Sequence, residues 1–166
     1  MTLGDFTAPH LVIPQLSSVD QAGAINELSQ RLHQAGRIED SLTFFQAVLQ
    51  RDYLSSSATE DGVAFPHARA RGIEQLCFAA GFSKVGVRWR DGSPVHAVFL
   101  MAVPPAETQM YLVLVSALAR LSRTAQLINP LMACSQTEEV LPLLSAVELS
   151  APVHRGEPLV QKDRED

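Results

Sequence analysis

The residues best suited to chemistry in this chain surround one histidine, His67. Arg69 and Arg71 follow it closely, and Arg51 lies sixteen positions before it, next to Asp52. Arginine presents a planar fork of donors that matches phosphate oxygens, whereas clustered cations oppose a metal ion. Neighbouring positive charge also lowers the pKa of an imidazole, which keeps one ring nitrogen free to attack. The pattern favours a site for a phosphate-like anion; the alternative is a solvated loop whose arginines form only weak surface ion pairs.

The remaining histidines offer no comparable cluster of charges. We expect each to be a surface or packed residue: His10, His33, His96 and His154. A hydrolase that uses His67 as its base is not favoured, because Ser55–Ser57 do not form the nucleophile elbow of such enzymes.

A strand and two helices are predicted ahead of the histidine. Residues 10–14 form a short apolar run, and Ser18-Val19-Asp20-Gln21 has the form of a capping box. Apolar residues at helical spacing follow and end at Gly36. A second helix is predicted from Asp40–Ser41 to Leu54. Its apolar face is expected to contain Leu42, Phe45, Val48 and Leu49.

Short strands are predicted around the histidine, which should lie at the end of the first of them. Residues 62–65 are predicted to run extended into His67, because the residue before a proline avoids the helical region. Apolar runs at 76–82 and 94–103 predict two buried strands, joined by a link at 83–93 that contains an Asp-Gly turn signal. Strand ends that lead into loops are common positions for functional sites in α/β folds.

Three helices are predicted after the strands, at 107–122, 124–134 and 137–146. Pro130 should kink or shorten the second of them. The buried face of the first is expected to contain Tyr111, Leu114, Val115, Leu118 and Leu121. Helices followed by strands and then helices indicate an α/β or α+β domain with a layered sheet.

Composition narrows the function classes. The 166 residues carry a net charge of −5, with 46% hydrophobic and 19% charged residues, which is typical of a globular protein and unlike a nucleic-acid binder. We expect one domain over 1–150, a flexible tail over 151–166, and no direct membrane insertion. Cys77 and Cys134 lack the spacing of a zinc site or a disulfide framework. With no signal peptide evident, the cytoplasm is the expected compartment.

The order of motifs resembles a known family. Residues 50–57 (QRDYLSSS) and 61–69 (DGVAFPHAR) are similar to the signature of type 2 enzyme IIA proteins of the phosphotransferase system, the fructose, mannitol and nitrogen-regulatory class. The strand at 94–104, which ends in Val-Pro, the helix at 111–121 and the helices over 127–144 resemble the elements that follow in that family. The likeness covers roughly residues 10–147 and implies a central mixed five-stranded sheet with helices on both faces.

The resemblance also implies site residues and partners. His67 matches the phosphorylated histidine and Arg51 the arginine that contacts the phosphoryl group; Asp52 stands where the family usually has glutamate, and Ser56 and Ser57 where it has Ser-Thr. The donor would be an HPr-like phosphocarrier protein, and the acceptor an enzyme IIB or a regulated target protein. No cofactor and no metal are implied.

Two departures from the family bear on the site. The family's glycine-rich turn is here Ala58-Thr59-Glu60-Asp61-Gly62, in which Glu60 and Asp61 are expected to oppose a phosphoryl dianion. Tyr111 stands where many members have a second histidine. Its hydroxyl could donate a hydrogen bond to His67 or to a phosphoryl oxygen, or the ring could simply pack. Arg69 is a second candidate for phosphoryl contact.

These observations lead to three functional alternatives. The first is a phosphocarrier that acts as a regulator of the nitrogen-regulatory type. The second is a sugar-transport enzyme IIA of a fructose- or mannitol-type permease, and the third a binding module of the same fold that is not phosphorylated. A carrier histidine must be reachable by its partner, so we also expect an apolar rim around it. Candidates for that rim are Val63, Phe65, Met110 and Tyr111.

Overall fold

A computed structural model describes residues 1–150 of the chain; the tail predicted over 151–166 lies outside the described residues. The strands are Val12–Ile13 (β1), Val63–Ala64 (β2), His67–Arg69 (β3), Cys77–Arg88 (β4) and Pro94–Val103 (β5). The α-helices are Gln21–Gln34 (α1), Ser41–Leu54 (α2), Gln109–Arg123 (α3), Ala125–Met132 (α4) and Thr137–Ser145 (α5). Two short 3-10 helices, Leu3–Phe6 and Pro9–Leu11, precede β1. No helix within residues 1–150 is both long and apolar enough to cross a bilayer.

The five strands form one mixed sheet, as expected. β4 and β5 pair in antiparallel fashion at its centre, and β1 lies parallel to β4 on one side. On the other side, β2 and β3 both pair in parallel with β5, separated from each other only by Phe65 and Pro66. The edge next to β5 is therefore one interrupted strand, and the interruption falls directly before His67.

Helices cover both faces of the sheet, which confirms the predicted layers. Alternate residues of a strand point to opposite faces. On β5, Val98 and Leu100 pack into the hydrophobic core beneath α1 and α2, whereas Phe99 and Met101 pack into the core beneath α3, α4 and α5. A strand buried on both faces explains why 94–103 is an almost continuous apolar run.

The helix starts show which local signals decide. α2 has the predicted bounds, and Asp40 caps it by accepting hydrogen bonds from Leu42 N and Thr43 N. The predicted capping box before α1 is wrong. Asp20 is the cap and accepts from Gly23 N at 2.8 Å, whereas the Ser18 hydroxyl donates to Glu27 at 2.6 Å. A carboxylate one residue from the helix reaches its free N–H groups more directly than a serine three residues away.

The apolar face predicted for α2 is rotated in the structure. Leu42 is 61% exposed, whereas Phe44 and Val48 are buried with Asp52. Phe45 and Leu49 are half-buried at the margin of the same core. The periodicity of apolar residues did not indicate this face, because the buried row of α2 ends in Asp52 and a carboxylate is ordinarily counted as a surface residue.

Two other predictions need correction. The link at 83–93 is mostly strand, because β4 continues to Arg88 through a register shift between Phe82 and Val87. Only the turn at 89–93 is a connection, closed by a hydrogen bond from Trp89 N to Ser93 O. On α3, Leu114, Leu118 and Leu121 are buried as predicted, but Tyr111 and Val115 are half-buried.

Candidate functional site

The interrupted edge strand positions His67. Pro66 cannot donate to a sheet, but its carbonyl accepts a hydrogen bond from Met101 N at 3.0 Å. His67, the first residue of β3, is then in register with Met101 on β5. The side chain is half-buried, between the end of α2 and the start of α3. The ring is thus held by the sheet without being closed off from solvent.

The two ring nitrogens of His67 have different partners. Nδ1 lies 3.4 Å from the carbonyl oxygen of Phe65, and Nε2 lies 3.1 Å from the hydroxyl of Tyr111. A carbonyl oxygen can only accept, so both contacts are satisfied in the neutral tautomer whose proton is on Nδ1 and whose lone pair is on Nε2. The tyrosine hydroxyl then donates to Nε2. Of the two interpretations of Tyr111, the structure has the one in which its hydroxyl binds His67.

The end of α2 closes one side of the histidine. A pocket of 190 Å³ is lined by Arg51, Asp52, Ser55, Ser57 and His67. Arg51 lies in the last turn of α2 and is exposed to solvent, so its guanidinium is available to a ligand. The structure therefore brings together the histidine and the arginine that are sixteen positions apart in sequence.

Asp52 is a buried part of this wall. Its side chain is only 5% exposed. Oδ2 accepts hydrogen bonds from Gln21 Nε2 at 2.6 Å and Trp89 Nε1 at 2.8 Å, and Oδ1 accepts one from Ser57 N at 3.1 Å. Both carboxylate oxygens are thus occupied by protein donors. Sequence reasoning did not find Gln21 or Trp89, although a buried tryptophan N–H needs a partner and could have indicated one.

The three serines after α2 have separate surroundings. Ser57 lines the pocket, and its hydroxyl is buried with no hydrogen-bond partner among the described residues. Ser56, proposed with it from the motif, is exposed; its hydroxyl accepts from Ala58 N at 3.2 Å and it does not line this pocket. Ser55, which the motif did not select, does. A buried hydroxyl without a partner is costly unless a ligand supplies one.

Arg69 is placed differently from the sequence expectation. Its Nη1 donates to the carbonyl of Pro104 at 3.3 Å and to the carbonyl of Glu107. The guanidinium also lies 5.3 Å from the centre of the Tyr111 ring. It does not line the pocket, and its Nη1 is held by the backbone carbonyls before α3. Arg71 lies on a separate cavity and does not belong to the site.

The altered turn before β2 leaves the pocket clear. Gly62 has a φ of 74°, and within residues 1–150 every residue with a positive φ is a glycine. Thr59 stabilises the turn by donating its N–H and its hydroxyl to Val63 O. Glu60 and Asp61 are exposed and do not line the pocket. One glycine is therefore sufficient for this turn, and neither of its two carboxylates belongs to the pocket wall.

Electrostatics favour a neutral, nucleophilic imidazole. Burial lowers the pKa of His67, the Phe65 carbonyl acts in the opposite direction, and the charge of Arg51 lowers it further. Asp52 raises this pKa and Arg69 lowers it, both with smaller effect. The arginines were expected to be the main cause; desolvation is larger. Burial raises the pKa of Tyr111, so its hydroxyl remains a donor.

The fold and the site match one protein family. Residues 5–147 match the family described as "Phosphoenolpyruvate-dependent sugar phosphotransferase system, EIIA 2". The chain belongs to this EIIA family. The family match covers both the helix that carries Arg51 and the strand that carries His67.

Individual relatives agree with the family. The chain is 25% identical to the fructose-specific EIIABC component of Bacillus subtilis over 87% of its own length, but spans only 23% of that protein. It is 28% identical to the nitrogen regulatory protein of Bradyrhizobium diazoefficiens, over 87% of this chain and 95% of that one.

A solved structure supports the fold. The complex of enzyme IIAMTL and phosphorylated enzyme IIBMTL from Escherichia coli matches with a TM-score of 0.71 at 18% identity, over 84% of this chain and 97% of the matched chain.

Proposed function

We propose that this EIIA protein is a phosphocarrier that accepts a phosphoryl group on Nε2 of His67 from an HPr-like protein. The observation that carries the proposal is the set of groups around one ring. Nε2 faces the Tyr111 hydroxyl, Arg51 is exposed beside His67, and the buried Ser57 hydroxyl of the same pocket has no hydrogen-bond partner within residues 1–150. A phosphoryl group in this pocket can accept hydrogen bonds from Arg51 and from the Ser57 hydroxyl. Attack by Nε2 of His67 then makes the covalent P–N bond.

The transfer needs no other reactant. The Nε2 lone pair attacks phosphorus as the P–N bond to the donor's histidine breaks, and that electron pair returns to the donor ring. The Nδ1 proton of His67 stays in place against the Phe65 carbonyl. Charge in the loose transition state sits on the peripheral oxygens, where the Arg51 guanidinium offsets it. One P–N bond replaces another, so the step is reversible.

Tyr111 has to release Nε2 before the attack. Its hydroxyl donates to this nitrogen in the present structure, at 3.1 Å. Once phosphorus is bound, the same hydroxyl can donate to a phosphoryl oxygen with a small rotation of the ring. Tyr111 thereby exchanges one acceptor for another. Arg69, whose guanidinium stacks on the ring and is anchored at Pro104, keeps the tyrosine near the histidine.

A partner protein has to reach this surface. Val63 is fully buried and cannot belong to the expected rim, and Phe65, Met110 and Tyr111 are half-buried. The exposed apolar residues next to the site in sequence are Leu54, before Ser55, and Leu112, after Tyr111, which are 84% and 61% exposed. We propose that these two leucines contact the partner on opposite sides of His67.

The nitrogen-regulatory type is the favoured role, with an HPr-like donor. The relative that is matched along 95% of its length is a nitrogen regulatory protein. The match to a fructose-specific component supports the alternative, a sugar-transport EIIA that hands the group to an enzyme IIB. The matched Escherichia coli complex contains an enzyme IIA bound to a phosphorylated enzyme IIB. Both cysteines are free, in keeping with the cytoplasm as the proposed compartment.

The test is phosphorylation by a reconstituted relay. The protein is incubated with phosphoenolpyruvate, enzyme I and an HPr-type donor, and the bound phosphate is assayed for acid lability and base stability. We expect such phosphate in the wild type and in His33→Ala, a control on the exposed face of α1, but none in His67→Ala. Label that persists in His67→Ala would contradict the site. No label from any HPr-type donor would support the non-phosphorylated binding module instead.

The acceptor separates the regulatory and sugar-transport types. The labelled protein is mixed with a fructose-type enzyme IIB and, separately, with a mannitol-type one. A regulator is expected to exchange its phosphoryl group with HPr but to transfer none to either enzyme IIB in the same time. Rapid transfer to either enzyme IIB would establish the sugar-transport alternative.

A further inference from the structure

Asp52 connects three separate parts of the chain. Its carboxylate accepts hydrogen bonds from Gln21 at the start of α1, from Trp89 after β4 and from the backbone of Ser57 before β2. Only the last of these partners touches the pocket beside His67. Three donors on one carboxylate compensate for its removal from water.

The bond to Ser57 fixes the part of the site that has no regular structure. Ser55–Ser57 follow the last turn of α2, and a turn of this kind has many accessible conformations. Asp52 Oδ1 holds the Ser57 N–H at 3.1 Å. Ser57, whose hydroxyl is buried without a partner among the described residues, lines the same pocket as Arg51. Asp52 therefore sets the position of the Ser57 hydroxyl through the backbone of Ser57, without a hydrogen bond to the hydroxyl itself.

Asp52 also borders a second cavity. This space, of 310 Å³, is lined by Asp52, Gln21, Tyr53, Ser56, Trp89, Arg90 and Asp91. The Arg90 guanidinium lies 4.4 Å from the centre of the Tyr53 ring at its margin. One carboxylate thus forms a wall of both cavities, with the serine turn on one side and the indole of Trp89 on the other.

We propose that Asp52 is a positioning residue for phosphoryl transfer, which holds the Ser57 turn against the pocket and links it to Trp89. The inference rests on the proposed function of His67 and names a further residue for it. A dianion on His67 draws the Ser57 and Arg51 donors towards itself. The Asp52 carboxylate adjusts with the turn, and the Trp89 indole bound to its other oxygen changes surroundings. Trp89 is the single tryptophan of the chain, so tryptophan emission comes only from the indole that binds Asp52.

The experiment uses a small phosphoryl donor, so that it does not depend on a partner protein. In the reaction with phosphoramidate, the reagent's P–N bond breaks, ammonia leaves and a P–N bond to Nε2 of His67 forms. Rates are measured for the wild type, Asp52→Asn and Asp52→Glu. Asp61→Asn is the control, because it makes the same change of charge in an exposed residue outside the pocket. Circular dichroism gives the melting temperature of each variant, and all rates are measured at a temperature at which every variant is folded.

Asp52→Asn has one acceptor oxygen for three donors, so we expect its rate in the folded protein to fall about tenfold. Asp52→Glu keeps two acceptor oxygens and should remain within about threefold of the wild type. Asp61→Asn should stay within about twofold. A purely structural Asp52 would lower the melting temperature of the Asn variant and leave the rate of the folded protein unchanged, which would overturn the proposal.

The emission of Trp89 provides a second test that does not need a variant of Asp52. Phosphorylation of the wild type should change the emission, and the same treatment of His67→Gln should not. An unchanged emission in fully phosphorylated wild type would contradict the link through Asp52. If phosphoramidate gives these results but no HPr-type donor labels the protein, the carrier function fails while the positioning by Asp52 stands.

Discussion

Two arginines lie near the same histidine, and the structure places them in different surroundings. Arg51 is far from His67 in sequence, yet it lines the pocket and is exposed. Arg69 is two residues away, yet its Nη1 donates to carbonyl groups before α3 and its guanidinium lies against the Tyr111 ring. The comparison shows that closeness in sequence does not identify a ligand. What counts is where the surrounding groups hold the guanidinium, in the pocket wall for Arg51 and outside it for Arg69.

The largest expected effect concerns these two arginines. Arg51→Gln should lower the rate of phosphoryl transfer to His67 by about 10²–10³, because it removes a preorganised donor to the transition state. Arg69→Gln should lower it by less than about tenfold, through a looser Tyr111. The measurement is the initial rate of labelling by an HPr-type donor. Equal losses in the two variants would show that Arg69 also contacts the phosphoryl group.

Two neighbouring serines test the pocket that Arg51 lines, because Ser57 belongs to its wall and Ser56 does not. Ser57→Ala removes a buried hydroxyl that has no partner among the described residues, so the free energy of unfolding should be unchanged or rise by up to about 1 kcal/mol. Transfer should slow by about threefold to tenfold, since one hydrogen bond to the phosphoryl group is lost. Ser56→Ala is the matched control and should leave the rate unchanged. Denaturant unfolding and labelling rates test both signs; a Ser57→Ala variant that is less stable and equally fast would refute the assignment.

The pH dependence of the transfer rate distinguishes Arg51 from Arg69 by how strongly each lowers the pKa of His67. The neutral ring attacks, so the rate rises with pH through the pKa of His67, and the lowered pKa places this rise below about 6.5. Removing a cation raises the pKa and moves the rise to higher pH. Arg51 has the larger influence of the two, so Arg51→Gln should move it further than Arg69→Gln. Rates with phosphoramidate, divided by those of N-acetylhistidine, give the profile. A larger movement in Arg69→Gln would contradict the geometry.

The smallest effect is expected from the acidic turn. Glu60→Gln and Asp61→Asn change exposed residues outside the pocket, so each should alter the transfer rate by less than about twofold. The residual effect should disappear at high salt, because exposed charges are screened. A rate increase of tenfold would mean that the turn does oppose the phosphoryl group, as its sequence first indicated.

The resemblance to the family predicted the five-stranded sheet, and the sequence selected His67 and Arg51, which the structure brings to one pocket. Sequence reasoning failed where the answer depends on backbone acceptors. His67 and Arg51 follow from side-chain types in a fixed order of elements. Arg69 could not be placed, because the carbonyls of Pro104 and Glu107 that bind it are independent of side-chain identity. The buried face of α2 was misjudged for a related reason. Asp52 is buried only because three donors from distant segments meet it, and periodicity contains no information on such partners.

The central claim is that Nε2 of His67 carries the phosphoryl group, and nitrogen-15 NMR of the phosphorylated protein tests it most directly. With the histidines labelled, one imidazole should show phosphorus coupling at Nε2 while its Nδ1 keeps a proton, and this signal should be absent in His67→Gln. Coupling at Nδ1 of that ring, or at any other histidine, would contradict the account.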